Sequence, residues 1–121
     1  MKGNLTCSDN CGMEFFDPFA RILMNLDALM QAAGFREIHI NSGPRCPKHN
    51  ADIGGATDSA HLRGIAADIA FSDGSELYAL IRCCIEIGIR RIGIDCKRNF
   101  IHVDAGQKTQ GFPSPYIWMY K

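Results

Sequence analysis

The sequence predicts an α+β fold, in which two main helices pack on a small, mostly antiparallel sheet. Two stretches repeat apolar residues at helical spacing. Four short stretches read as strands, and the last two of these are joined by a turn around Lys97-Arg98. The chain has 121 residues, 46% of them hydrophobic and 21% charged, which suits one globular domain over 1–121. Residues 1–16 form a cysteine-containing arm before the first helix.

Asp17-Pro18 reads as a helix start, with Asp17 as cap and proline at the first helical position. Phe19, Ile22, Leu23, Leu26, Leu29, Met30 and Ala33 then recur at helical spacing as far as Gly34. Arg36 to Asn41 alternates apolar and polar residues, as a half-buried strand does, and ends in the turn formers Ser42-Gly43-Pro44. From Ser42 to Gly64 no period holds, and a loop of that length inside a compact domain is usually functional or disordered. Ile65 to Phe71 is a strand of small and β-branched residues that carries one aspartate. Ser72-Asp73-Gly74-Ser75 starts a second helix, whose inner face is Leu77, Leu80, Ile81, Cys84 and Ile85 and which ends near Gly88. Arg91–Asp95 and Asn99–Asp104 are the last two strands.

Thirteen basic and thirteen acidic residues cancel, so no electrostatic footprint for nucleic acid or an anionic membrane is present. The N-terminus lacks the apolar core of a secretory signal and no run is long enough to span a bilayer. The expectation is a monomer made in the cytoplasm, with no nucleic-acid partner and no membrane insertion.

The chemistry gathers on a few residues. An aspartate within an apolar strand is costly unless paired or bound to a metal, so Asp68 demands a partner. His61 closes the long loop and His102 lies within the strand F-I-H-V-D. Two histidines and one carboxylate form a catalytic zinc set with a fourth position left for water. Taken singly each residue has a plainer reading: Asp68 as a turn cap or a partner of Arg63, either histidine as a hydrogen-bonded core residue.

The combination is more specific. Ser42-Gly43-Pro44-Arg45, Asn50, Gly54-Gly55, Ser59-x-His61-x-x-Gly64-x-Ala66-x-Asp68 and Phe100-Ile101-His102-Val103-Asp104 occur in one order along the chain. Together they resemble the zinc D-alanyl-D-alanine carboxypeptidase and murein endopeptidase family, phage endolysins included, within the superfamily that also holds the hedgehog domains. The resemblance covers roughly residues 35 to 118. It implies His61, Asp68 and His102 as zinc ligands, Arg45 as the arginine that binds a substrate carboxylate or carbonyl oxygen, and Ser59 as a residue that orders the loop or touches substrate. Strand alternation agrees, since His102 and Asp104 share a face and Asp68 points away from Ile65 and Ile69.

The implied reaction is hydrolysis of amide bonds in peptidoglycan stem peptides or cross-links. Zinc would supply an acidified water and an electrophile, with Arg45 beside the oxyanion. Such a protein would act on the cell wall, delivered by a phage or prophage lysis system or a tail device.

One departure bears on the mechanism. Many relatives carry an acid three residues before the last histidine as general base, and here that residue is Asn99. Asp104 ranks first as replacement, as catalytic base or else as a carboxylate that orients a ligand. Asp95 ranks second and His49 third. H-V-D-x-G and Trp118 resemble the endopeptidase branch. The alternative is a wall-peptide binding module that keeps the metal and has lost its base.

Of the six cysteines, Cys7 and Cys11, with Cys46 and His49, are able to gather into a structural zinc clip or a disulfide that ties the N-terminus to the loop. Cys83 and Cys84 read as small hydrophobes buried on the second helix.

Overall fold

The computed structural model describes residues 1–7, 11–56 and 59–121. Among these, six strands form one sheet: β1 (Lys2–Gly3), β2 (His39–Ser42), β3 (Ala66–Ala70), β4 (Arg91–Asp95), β5 (Phe100–Asp104) and β6 (Tyr116–Met119). Three α-helices accompany it: α1 (Asp17–Ala32), α2 (Pro47–Asp52) and α3 (Gly74–Glu86).

The strands lie in the order β1-β2-β3-β5-β4-β6. The pairings β2–β3, β3–β5 and β5–β4 are antiparallel, whereas both edges, β1–β2 and β4–β6, pair in parallel. The sheet is therefore mixed rather than mostly antiparallel. The correction comes from the two edge strands, which the sequence reading did not include. Two residues of β1 carry too little pattern to read. In β6, Tyr-Ile-Trp-Met shows no alternation because all four residues are apolar, although most of the strand is exposed.

α1 buries Phe19, Leu23, Leu26 and Met30, four residues on one stripe. Asp17 is its first residue rather than its cap, and Phe16 holds the cap position without a side-chain hydrogen bond. α3 is capped as its sequence suggests: Asp73 accepts from the Glu76 amide at 2.9 Å. The Glu76 carboxylate accepts from the Ser72 amide at 2.7 Å and binds Arg36 at 3.1 Å. That bond takes Arg36 away from the strand expected over 36–41, and β2 starts at His39 instead. The long loop is not structureless. It contains α2, opened by Pro47 directly after Cys46, and a 3₁₀ turn over Ala60–Arg63. Neither is long enough to show a period.

Register sorts the faces, because residues opposite one another in a sheet point the same way. On one face Ala67, Ile69, Ile92, Ile101 and Val103 join the α1 stripe and Leu80, Cys83 and Cys84 of α3 in the core. Each large side chain buried there contributes about 1.5–3 kcal/mol. On the other face one row crosses five strands, as Ser42 faces Asp68, Asp68 faces His102, His102 faces Gly93 and Gly93 faces Trp118. No described helix is long and apolar enough to cross a membrane.

Candidate metal centre

β3 presents Asp68 and β5 presents His102 side by side, with Nδ1 of His102 3.0 Å from Oδ1 of Asp68. His61 reaches the same carboxylate from the 3₁₀ turn, its Nε2 3.4 Å from Oδ1. Ser59 starts that turn by accepting from the His61 amide at 3.2 Å, and Gly64 ends it at φ 70°, a left-handed conformation suited to glycine. One donor atom from each of His61, Asp68 and His102 falls within 4.8 Å of the other two, and all three residues are buried.

The outer nitrogens fix the inner ones. Nδ1 of His61 lies 2.7 Å from the carbonyl oxygen of Gly43, an acceptor only, so Nδ1 donates there and Nε2 is the nitrogen that faces Asp68. Nε2 of His102 lies 2.6 Å from Oδ2 of Asp104, which leaves Nδ1 on the side of Asp68. Two imidazole nitrogens and a carboxylate so arranged match the donor set of a catalytic zinc.

The carboxylates and histidines of the set stabilise one another's charged forms. Burial opposes the charge of Asp68, but His102 and His61 outweigh it and hold the carboxyl well below the usual range. Burial likewise opposes protonation of His102, yet Asp104 and Asp68 raise its pKa above the ordinary value. Asp104 is held low against burial by His102, the Gly106 amide and Arg91.

Asp104 is fully engaged. Besides His102, its Oδ1 accepts from Nε of Arg91 at 2.7 Å and from the Gly106 amide at 2.8 Å. Asp95 ends β4, where it accepts from the Lys97 and Arg98 amides of the following turn at 3.0 and 2.9 Å and pairs with the Arg98 side chain. His49 lies on α2 with Nδ1 3.5 Å from the sulfur of Cys7. Asn99 occupies a left-handed turn position, φ 56°, ahead of β5. Arg45 is brought to the metal set: its Nη2 is 3.9 Å from Asp68, while Nε donates to Ser42 at 3.3 Å and Nη1 to Asn50 at 3.1 Å. Gly55 is required beside them, since a β-carbon there would overlap the Asn50 amide oxygen and crowd Arg45.

The structure places Trp118 beside the site and adds Gly93, Arg91, Phe112 and Tyr120, to which sequence reasoning gave no part there. Gly93 leaves room for the Trp118 ring to lie across β4, so that its centroid comes within 5.4 Å of His102. Arg91 lies between the rings of Trp118 and Phe112, 4.9 and 5.1 Å from their centroids, and also donates to the Pro113 carbonyl. Tyr120 stacks edge-on against Phe100, and its hydroxyl is raised by burial and by Asp68. A glycine facing a tryptophan across two strands is a signal only once the register is known.

A family profile described as peptidase M15 matches residues 2–104, which include His61, Asp68, His102 and Arg45. No curated protein matches the chain.

Proposed function

Because the chain belongs to the peptidase M15 family, we propose that it is a zinc-dependent metallopeptidase that hydrolyses amide bonds in peptidoglycan stem peptides or cross-links. The observation that carries this reading is the convergence of His61, Asp68 and His102 on one point, each histidine having its remote nitrogen tied elsewhere. His61 through Nε2, His102 through Nδ1 and Asp68 through its carboxylate would hold the ion. Bound there, zinc supplies a Lewis acid and an acidified water.

The other residues position and neutralise. Asp104 keeps Nε2 of His102 protonated and its ring fixed, so its role is to position a ligand, and Arg91 holds Asp104 in turn. Arg45, braced by Ser42 and Asn50, offers a rigid cationic fork beside Asp68 to a peptide carboxylate or carbonyl oxygen. Ser59 acts on the loop, through the His61 amide. Trp118 flanks the His102 ring and gives it an apolar neighbour.

The test is release of new amino groups from purified peptidoglycan by the zinc-loaded protein, with chelated protein and His61→Ala as controls. Release that requires both zinc and His61 supports the reading. A second reading, a zinc-containing module that binds wall peptides without cleaving them, draws on Asn99 and on the full engagement of Asp104 and Asp95. Saturable binding of stem peptides with no amine release would favour it.

A further inference from the structure

We propose a second metal site, built by Cys7, Cys11, Cys46 and His49, in which a structural zinc ion clips the N-terminal arm to the loop that carries Arg45. The site lies apart from the histidine-aspartate set and does not depend on the peptidase reading.

The arm folds back on itself through a bridge between Thr6 and Glu14, and the Cys7 amide donates to the Met13 carbonyl at 2.8 Å. This brings the sulfurs of Cys7 and Cys11 to the sulfur of Cys46, all three within 4.8 Å of one another. The sulfurs of Cys7 and Cys46 are 3.7 Å apart, and Nδ1 of His49 is 3.5 Å from that of Cys7. A tetrahedral zinc with bonds of about 2.3 Å to sulfur and about 2.0 Å to imidazole has sulfur–sulfur edges of about 3.8 Å and sulfur–nitrogen edges of about 3.5 Å. The two separations match those edges.

Two further features suit thiolates. The Cys46 amide points at the Cys7 sulfur and the His49 amide at the Cys46 sulfur, both at 3.4 Å, and N–H donors favour the anionic form that binds metal. Cys7-x-x-x-Cys11 also falls within the spacing of paired zinc cysteines. The three sulfurs form the common cluster and His49 approaches it on the Cys7 side, so the imidazole would complete the shell as fourth ligand and make the site structural.

Its effect follows from chain connectivity. Cys46 directly follows Arg45, whose amide donates to the carbonyl of His61 at 3.0 Å. A metal joining residues 7 and 11 to 46 and 49 therefore fixes the backbone of Arg45 against the turn that carries His61. Cys83 and Cys84 stand aside, and burial pushes the Cys84 thiol up to about 12.

The test is metal content and cobalt spectroscopy of the intact chain purified under reducing conditions. About two zinc ions per chain are expected for the native protein, about one for His61→Ala, and about one for Cys46→Ser. Cobalt-loaded native protein and His61→Ala should both show thiolate-to-cobalt charge-transfer absorption, and Cys46→Ser should lose it. Thiol titration of the native protein gives a readout free of variants, in which Cys7, Cys11 and Cys46 react only after chelation. The proposal is overturned by a single zinc that disappears in His61→Ala, by a cobalt spectrum without thiolate bands, or by a Cys7–Cys46 disulfide in the intact mass. Loss of wall hydrolysis with both ions retained would count against the peptidase reading alone.

Discussion

Oδ2 of Asp104 lies 2.6 Å from Nε2 of His102, two residues before it on the same strand and the same face. The other oxygen of Asp104 is held by Arg91 and the Gly106 amide, so the carboxylate acts on the histidine rather than on solvent. Asp104→Asn should keep the fold and weaken zinc binding by about ten- to a hundredfold, with turnover restored by excess zinc. Zinc titration followed by turnover at saturation checks this. Unchanged zinc affinity with turnover that stays lost would make Asp104 the proton acceptor.

Arg45 is braced by Ser42 and Asn50 and approaches Asp68 from outside the metal set. Arg45→Ala should leave zinc content unchanged and lower kcat/KM by about ten- to a hundredfold, the weight of a charge-assisted hydrogen bond of about 1.5–3 kcal/mol. Gly55→Ala should act in the same direction, because a methyl group there displaces the Asn50 side chain that holds Arg45. Steady-state kinetics beside metal analysis separates this loss from loss of zinc.

A β-carbon on Gly93 would lie 2.5 Å from Cε2 of Trp118. Gly93→Ala should therefore lift the indole from His102 and cost about 1–3 kcal/mol of stability, as overpacking does. Denaturant unfolding gives the cost, and a shift in the fluorescence of the single tryptophan reports the displaced ring.

The metal-free protein should have a defined pH optimum of stability. Asp68 is lowered from 3.8, so its contribution is complete above that value and is lost as the pH falls through its folded pKa. His102 is raised from 6.5, so its contribution is complete below that value and is lost as the pH rises through its folded pKa. Both contribute in full between 3.8 and 6.5. Zinc competes for the same atoms as protons, so zinc affinity should instead increase with pH above this window. Thermal melts of chelated and zinc-loaded protein across pH check both signs.

Much of this arrangement is legible in the sequence for physical reasons. The α1 stripe, the Asp73 cap and the β4–β5 hairpin follow from local periodicity and turn chemistry, and an aspartate in an apolar strand needs a partner. Asp68 and His102 could be placed on strands, and their face follows from alternation. The edge strands are not legible in this way, since β1 is too short and β6 does not alternate. Nor is the engagement of Asp104, which depends on Arg91 arriving from the neighbouring strand in register. Gly93 and Trp118 show the same limit: a close approach across strands leaves no mark on either segment alone. The spacing of Cys7, Cys11 and Cys46 does not choose between a metal clip and a disulfide, and their gathering depends on how the arm folds back.

The claim that His61, Asp68 and His102 hold a zinc that serves wall-peptide hydrolysis is tested most directly by mass spectrometry of muropeptides after incubation with zinc-loaded protein. Shortened stem peptides or opened cross-links are predicted, absent with chelated protein and with His102→Ala. Muropeptides left intact by protein with zinc bound at these three residues would contradict it.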